Sequence, residues 1–257
     1  MPPIHRSSAG DPARTLELLW RQASERATRG PRPGRSVDEI VTVAIQVADA
    51  EGLEAVTMRR VAQQLGVTAM SLYTYVPGKA ELLDLMLDTV YAQMPRTDRS
   101  GEPWRVRVAA VADENLALFA RHRWVASVST SRPPLGPGLM AKYEHELRSF
   151  EGLGLDDVEI DAALTFVLGF VSAAARMAAD AAASLQDSVM SDAQWWAAHA
   201  PLLARVFDTE RYPTAARVGA AAGAAHGAAY SPEHAYAFGL QRVLDGLGGL
   251  IEVRATK

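Results

Sequence analysis

Apolar residues recur at helical spacing along most of the chain, and the clearest repeat lies in residues 36–94. Ser36 and Glu39 form an S-x-x-E capping box, which predicts the start of a helix. Val61 and Leu65 lie four residues apart and mark the apolar face of a second, shorter helix. The pattern as a whole predicts an all-α protein with a small helical domain followed by a larger one.

The rest of the chain is organised around residues 57–79. The pattern of this segment predicts two short helices joined by a tight turn. Gly66 suits the left-handed backbone conformation just past a helix end, and Thr68 can cap the next helix with its hydroxyl. Leu72 and Val76 can point inward, which leaves small and hydroxyl-bearing residues for the other faces. A short helix of this kind can enter a DNA major groove and donate hydrogen bonds there.

Residues 36–94 resemble the DNA-binding domain of the TetR family of transcriptional regulators. The matching pieces are A-x-x-x-x-x-x-E-G-L at 44–53, V-T-M-R-R-V-A-Q-Q-L-G-V at 56–67 and S-L-Y-T-Y-V-P-G-K-A-E-L-L-D at 71–84. The resemblance implies a dimer that binds double-stranded DNA at a palindromic operator. It also implies a larger helical ligand-binding and dimerisation domain, and makes repression the expected mode of regulation.

The residues expected to contact DNA lie in and beside the two short helices. Arg59 matches a family position that can reach a base, and arginine can bind guanine O6 and N7 together. Lys79 begins the following helix, where its ammonium and the helix N–H groups can hold a phosphate. Either arginine of the pair at 59–60 could instead be a surface residue, and one of the two tyrosines could pack inward. The full set is Thr57, Arg59, Arg60, Thr68, Ala69, Met70, Ser71, Tyr73, Thr74, Tyr75 and Lys79.

The sequence divides into an N-terminal extension (1–35), the helix-turn-helix domain (36–95) and a helical ligand-binding and dimerisation domain (102–257). In the last of these the expected helices are 104–121, 139–150, 156–183, 191–200 and 233–253. The helix at 156–183 is apolar on nearly all faces, as a buried helix is. It could form a four-helix dimer bundle with the last helix, or only the core of the monomer. Residues 215–229 could be a mobile cover over a pocket or a poorly packed surface element.

The extension holds seven arginines against three acidic residues. We expect disorder at residues 1–10, a helix at 12–28 and an arginine-rich arm after it. Such an arm can reach phosphates or a minor groove. The alternative is a solvated tail whose single helix packs on the protein.

Composition narrows the function further. The chain has 257 residues, 49% of them hydrophobic, and no cysteine, which excludes disulfides, thiolate metal sites and cysteine nucleophiles. The most apolar run carries Arg176 and Asp180, so we expect no membrane span. A signal-peptide core is lacking, which favours the cytoplasm. Enzyme motifs, cofactor motifs and metal-ligand spacing are also lacking, and we expect no catalytic function.

A ligand pocket in the larger domain should be apolar with a few polar groups. The candidate polar and aromatic residues are Asn115, His122, Tyr143, Arg176, Trp195 and His199. Each of them could equally be a core or surface residue with a partner inside the protein. The leading hypothesis is a repressor released by a small apolar or amphipathic molecule. The alternative is a DNA-binding regulator without such a ligand, and a filled core without a cavity would favour it.

Overall fold

The computed structural model describes residues 5–21, 36–188, 190–228 and 230–255, and this part of the chain is helical with a single isolated β-bridge, between Arg6 and Ser129. The all-α prediction is therefore confirmed. Short 3₁₀ turns occupy Leu53–Ala55, Arg123–Ser127 and Arg148–Phe150. The α-helices, in chain order, are α1 Pro12–Leu19, α2 Val37–Glu51, α3 Met58–Leu65, α4 Ala69–Tyr73, α5 Lys79–Gln93, α6 Trp104–Arg121, α7 Pro137–Leu147, α8 Asp157–Asp187, α9 Asp192–Val206, α10 Pro213–His226 and α11 Pro232–Ala255.

Local signals set several helix starts. The capping box of Ser36 and Glu39 is present with both of its hydrogen bonds, and a second box opens α8. Helix α9 is longer than expected and continues through Pro201 to Val206. Residues 215–226 of the alanine- and glycine-rich stretch lie in a regular helix, α10, that begins at Pro213 and ends at His226.

Two hydrophobic clusters make up the core. The first lies among α2, α3, α4 and α5 and extends to Trp124, Val125 and Val128 of the larger domain. The second lies among α6, α8 and α11 and includes Val108, Val167 and Leu244, the first two with no exposed surface. The smaller domain therefore completes its core with a 3₁₀ turn that comes some 30 residues after the domain itself ends in sequence.

The N-terminal residues 5–21, here called the N-terminal strap, pack on the protein, which corrects the expectation of disorder for residues 5–10; residues 1–4 lie outside the described residues. The Ser8 backbone N–H donates to Asp84 Oδ1 on α5 at 2.8 Å. The Trp20 indole N–H donates to the Leu135 carbonyl at 2.8 Å. The strap therefore contacts both the smaller domain and the loop that precedes α7. Residues 22–35, including the end of the expected helix and most of the expected arm, lie outside the described residues.

Asp84 is fully buried on α5, and its Oδ2 has no hydrogen-bond partner. Burial raises the pKa of this carboxyl to about 6, the hydrogen bond from Ser8 opposes the rise, and the nearby charge of Glu81 adds to it. The Glu81 carboxylate is also buried and accepts from the Asp11 N–H at 3.3 Å. Two carboxylates of α5 thus hold the strap through its backbone.

Helix α7 approaches α5 very closely at its N-terminus. The Leu139 N–H donates to Asp88 Oδ1 at 2.8 Å, and burial raises the pKa of Asp88 against this bond. A methyl group at Gly138 would lie 2.0 Å from the Asp88 carbonyl oxygen. The contact between the two domains at this point therefore requires glycine.

By length and composition, residues 157–184 of α8 could cross a membrane, and they are the one such helix among the described residues. Most of this stretch is not buried within the protomer. Its apolar side chains pack partly on α6 and α11, and the remainder lie on the surface.

Replacing Gly138 by alanine should destabilise the protein by about 3 kcal/mol, because the methyl group forces α7 away from α5. Gly219→Ala is the matched control, since a methyl group there meets no atom within 4 Å. It should be neutral or stabilising by up to about 1 kcal/mol in the middle of α10. Urea unfolding of both variants measures the difference, and equal effects would show that the α5–α7 contact tolerates a side chain.

Asp84→Asn should change how stability depends on pH. The folded-state pKa of Asp84 is about 6, above its ordinary 3.8, so this carboxyl makes the folded protein less stable as pH rises through that interval. Relative to the natural protein, the variant should gain about 2 kcal/mol of unfolding free energy between about pH 4.5 and pH 7.5. Urea unfolding at the two pH values measures this gain, and a constant difference between the proteins would contradict it.

Candidate nucleic-acid interface

The turn between α3 and α4 is built by local hydrogen bonds. Gly66 has φ +70° and ψ +31°, the left-handed conformation that favours glycine, and the Val67 N–H donates back to the Ala62 carbonyl at 3.0 Å. Thr57 caps α3 by accepting from the Arg60 N–H at 3.0 Å. Thr68 caps α4 by accepting from the Ser71 N–H at 3.3 Å. These local bonds define the turn and the starts of both helices.

Helix α4 has one buried side and one exposed side. Leu72 and the following Val76 are buried in the core. Met70 is 75% exposed and Tyr73 is 47% exposed. The exposed side also carries hydroxyls, which can donate to or accept from base edges in a major groove. Its members, in order, are Thr68, Met70, Ser71, Tyr73 and Thr74.

The neighbouring arginines of α3 differ in their contacts. Arg60 Nε and Nη2 donate to Glu51 at 3.2 and 2.6 Å, and Arg60 Nη1 donates to Gln64 at 3.1 Å. This hydrogen bonding raises the pKa of Arg60 and lowers that of Glu51. Arg59 is exposed and makes no ion pair among the described residues. Of the two, Arg59 has the guanidinium that can meet DNA without first losing a carboxylate.

The remaining candidates lie at the edge of this surface. Tyr75 is half-buried and packs against the first core cluster, whereas Tyr73 is exposed. Lys79 is the first residue of α5, and Gly78 before it provides no side-chain cap. Ala69 is also half-buried. The α3–α4 unit therefore presents Arg59, Lys79 and the exposed side of α4 as one candidate DNA-binding surface.

Two arginines of the strap have carboxylate partners. Arg14 pairs with Glu17 of the same helix at 3.3 Å, and Arg21 forms an ion pair with Asp38 at the start of α2. For the described part of the extension, the Arg21 pair favours packing over a free arm. The remaining arginines of the expected arm lie outside the described residues.

The six candidate ligand residues fall in several places rather than in one pocket. Asn115 is buried and donates to Glu146 Oε1 at 2.6 Å, which Lys142 also binds at 2.6 Å. His122 is buried and its Nδ1 lies 2.9 Å from Asp49 Oδ1. These contacts account for both residues as core polar groups with partners.

The other four candidates lie nearer the surface. The Tyr143 hydroxyl donates to Asp161 at 2.6 Å, which raises the pKa of this tyrosine. Arg176 Nη1 donates to the Ala126 carbonyl at 3.0 Å. Trp195 and His199 stack on each other on α9, with ring centroids 4.1 Å apart. Within the described residues that stack is the one direct contact between any two of the six, so their role in ligand binding stays a prediction.

The described residues also enclose several clefts. One, of about 610 Å³, lies between the 96–100 linker, α6 and the end of α7. Another, of about 560 Å³, lies beneath Trp20, between the strap, α5 and α7. A smaller apolar pocket of about 160 Å³ lies between α6 and α8 and is lined by Leu116 and Phe119.

Comparison with known proteins assigns both halves of the chain. Residues 40–86 match the family model for bacterial regulatory proteins of the tetR family, and residues 95–251 match the model for the tetracyclin repressor-like C-terminal domain. The chain belongs to the TetR family of transcriptional regulators. The family assignment makes DNA-binding transcriptional regulation the activity of the chain.

Relatives within the TetR family include named repressors. The chain is 43% identical over 250 residues to the HTH-type transcriptional repressor DrrR1 of Streptomyces coeruleorubidus, covering 96% of this chain and 90% of that protein. Its fold is similar to the crystal structure of the Streptomyces coelicolor TetR family protein ActR in complex with actinorhodin. That likeness has a TM-score of 0.69 at 27% identity, over 84% of this chain and 96% of ActR. The complex of ActR with (S)-DNPA gives 0.66 at 28% identity, over 85% and 99% of the respective chains.

Sequence reasoning missed the buried carboxylates of this TetR-family chain. Glu81, Asp84 and Asp88 lie three and four residues apart on a helix that is otherwise apolar. That spacing places them along one side of α5. The sequence does show acidic residues within an otherwise apolar helix. It does not show which backbone N–H groups donate hydrogen bonds to them.

Proposed function

We propose that the protein is a homodimeric repressor that binds a palindromic operator through α4 and is released by a small apolar or amphipathic molecule. The observation that carries the proposal is the exposed side of α4, together with an Arg59 guanidinium that has no carboxylate partner among the described residues. Two copies of α4 can read two half-sites about one helical turn, ~34 Å, apart.

The dimer follows from the surface of α8 and α11. These helices pack on each other within the protomer, yet they expose large apolar side chains. Contiguous exposed apolar surface of this kind is typical of a protein interface. An isologous contact between two such surfaces gives the two-fold symmetry that a palindromic site requires. The exposed residues are Val158, Phe166 and Met177 of α8, and Phe238, Leu250 and Val253 of α11.

The proposed release by a ligand has two supports. ActR, a relative of similar fold, is known in complex with actinorhodin and with (S)-DNPA. The described residues also line a mainly apolar cleft of about 560 Å³ between the strap, α5 and α7 and an apolar pocket of about 160 Å³ between α6 and α8, which suits such a ligand better than the alternative of a filled core. To change operator occupancy from 99:1 to 1:99, the ligand must favour the released conformation by about 5.5 kcal/mol. Actinorhodin is the first probe to test for release from the DNA flanking the gene of this protein.

Arg59→Ala should weaken binding to the specific site by about 1–3 kcal/mol and relax base preference there. Arg60→Ala is the matched control, because it removes the same charge from the neighbouring position, where Glu51 already pairs with it. Its loss should be smaller and similar on all sequences. Fluorescence anisotropy with the flanking DNA and with a random duplex, at two salt concentrations, measures both losses. Equal losses for Arg59→Ala on the two DNAs would make Arg59 a phosphate contact only.

Phe166→Glu combined with Phe238→Glu should convert the protein into a monomer, because the two side chains are 55% and 57% exposed on the proposed interface. The charges would be buried without partners in a dimer, which is costly. Val206→Glu is the control, since Val206 is an exposed apolar residue of α9 and belongs to neither α8 nor α11. Sedimentation equilibrium measures the mass. A double variant that stays dimeric, or a natural protein that is monomeric, would exclude this interface.

A further inference from the structure

The cleft of about 610 Å³ beside the domain linker, here called the linker cleft, is lined mainly by polar groups. One wall is the 96–100 linker itself, which joins α5 to α6. The opposite walls are the first half of α6 and the end of α7 with its 3₁₀ turn. This site differs in chemistry from the apolar pocket between α6 and α8, and it contains none of the six candidate ligand residues.

Arginine dominates the chemistry of the linker cleft, which Arg96, Arg99, Arg107 and Arg148 all line. Two of these guanidinium groups have carboxylate partners: Arg99 binds Glu102 at 2.9 Å, and Arg148 binds Glu144 at 2.8 Å.

The other two guanidinium groups have no such partner among the described residues. Arg96 Nη2 donates to the Tyr91 carbonyl at 2.6 Å, and Arg107 Nη2 donates to the Glu151 carbonyl at 3.1 Å. A carbonyl accepts a hydrogen bond but does not neutralise the charge.

Unsatisfied donors concentrate at the same place. The Nε atoms of Arg96, Arg99 and Arg107 are buried without a hydrogen-bond partner, and they are three of the five such side-chain atoms among the described residues. Buried donors without acceptors are uncommon, because leaving them unpaired is costly.

The linker cleft also carries negative charge. The Asp98 carboxylate accepts from the Ser100 N–H at 3.0 Å, and this bond, followed by the nearby positive charges, lowers the pKa of Asp98. Glu144 is paired with Arg148. Four arginines line the cleft beside three carboxylates, those of Asp98, Glu144 and Glu151, so one positive charge is in excess among the lining residues.

We infer that the linker cleft is a binding site for a small anion that bears carboxylate or phosphate groups, with Arg96 and Arg107 as the residues that pair with its charge. The planar guanidinium fork matches the two oxygens of either group. Because Arg96 lies on the linker and Arg107 on α6, a bound anion ties the connection between the domains to the larger domain. An anion bound in the linker cleft therefore restrains the movement of α5 relative to α6.

Calorimetric titration of the full-length protein tests the site with two probes, citrate for carboxylates and inorganic pyrophosphate for phosphates, at constant ionic strength held with sodium chloride. At least one probe should bind with a stoichiometry of one per chain, and the tighter one identifies the chemistry of the ligand. Arg107→Gln and Arg96→Gln should each weaken that probe at least tenfold. Arg205→Gln removes the same charge from α9, away from the linker cleft, and should leave the affinity unchanged.

Arg107→Gln is the decisive variant, because Arg96 also binds carbonyls at the end of α5 and its loss could unfold that helix end. Thermal unfolding without anion checks that each variant is folded. Absence of binding by both probes, or an equal loss in Arg205→Gln and Arg107→Gln, would overturn the proposal. The titration contains no DNA, so its outcome is independent of operator binding.

Discussion

Helix α5 is buried on nearly all sides, and this burial requires that its carboxylates accept hydrogen bonds. Other segments of the protein donate these bonds. Glu81, Asp84 and Asp88 are each 7% exposed or less, and each accepts a hydrogen bond from a backbone N–H of another segment. A buried carboxylate without donors would cost several kcal/mol or take up a proton. The donors come from the N-terminal strap and from the start of α7, so α5 fixes the position of both. A backbone N–H can donate to a buried carboxylate whatever side chain its residue carries, provided that the N–H lies within hydrogen-bond distance.

Because α5 is enclosed in this way, it connects the DNA-binding surface to the larger domain as a rigid element. Its first residue, Lys79, lies beside the recognition helix, and its last turn leads into the linker cleft. Any ligand that shifts α7 acts on α5 through the close contact at Gly138. Arg96 binds carbonyls at the same C-terminal end of this helix. Both contacts therefore act on the end of α5 that is farthest from Lys79.

The helix-turn-helix could be predicted from the sequence because its signals are local. The left-handed Gly66 and the Thr68 cap act within four residues, and both are formed as expected. The ligand candidates were harder to judge, because the partner of a polar residue is often distant in sequence. His122 meets Asp49, 73 residues away, and Asn115 meets Glu146, 31 residues away. Packing of residues 5–10 was missed for the same reason, since Asp84 is 76 residues from Ser8.

The core of the smaller domain includes Trp124, Val125 and Val128, and the Trp124 indole donates to Asp49 on α2 at 2.8 Å. This arrangement limits how the protein can be divided. A chimera that joins the first 95 residues to a foreign effector domain would expose the apolar surface of α2 and α5 that these residues cover. Recombination at the linker therefore keeps α3 and α4 but removes the residues at 124–128 that complete the core of their domain. In evolution, the recognition helix of such a protein can change more freely than the domain attached behind it.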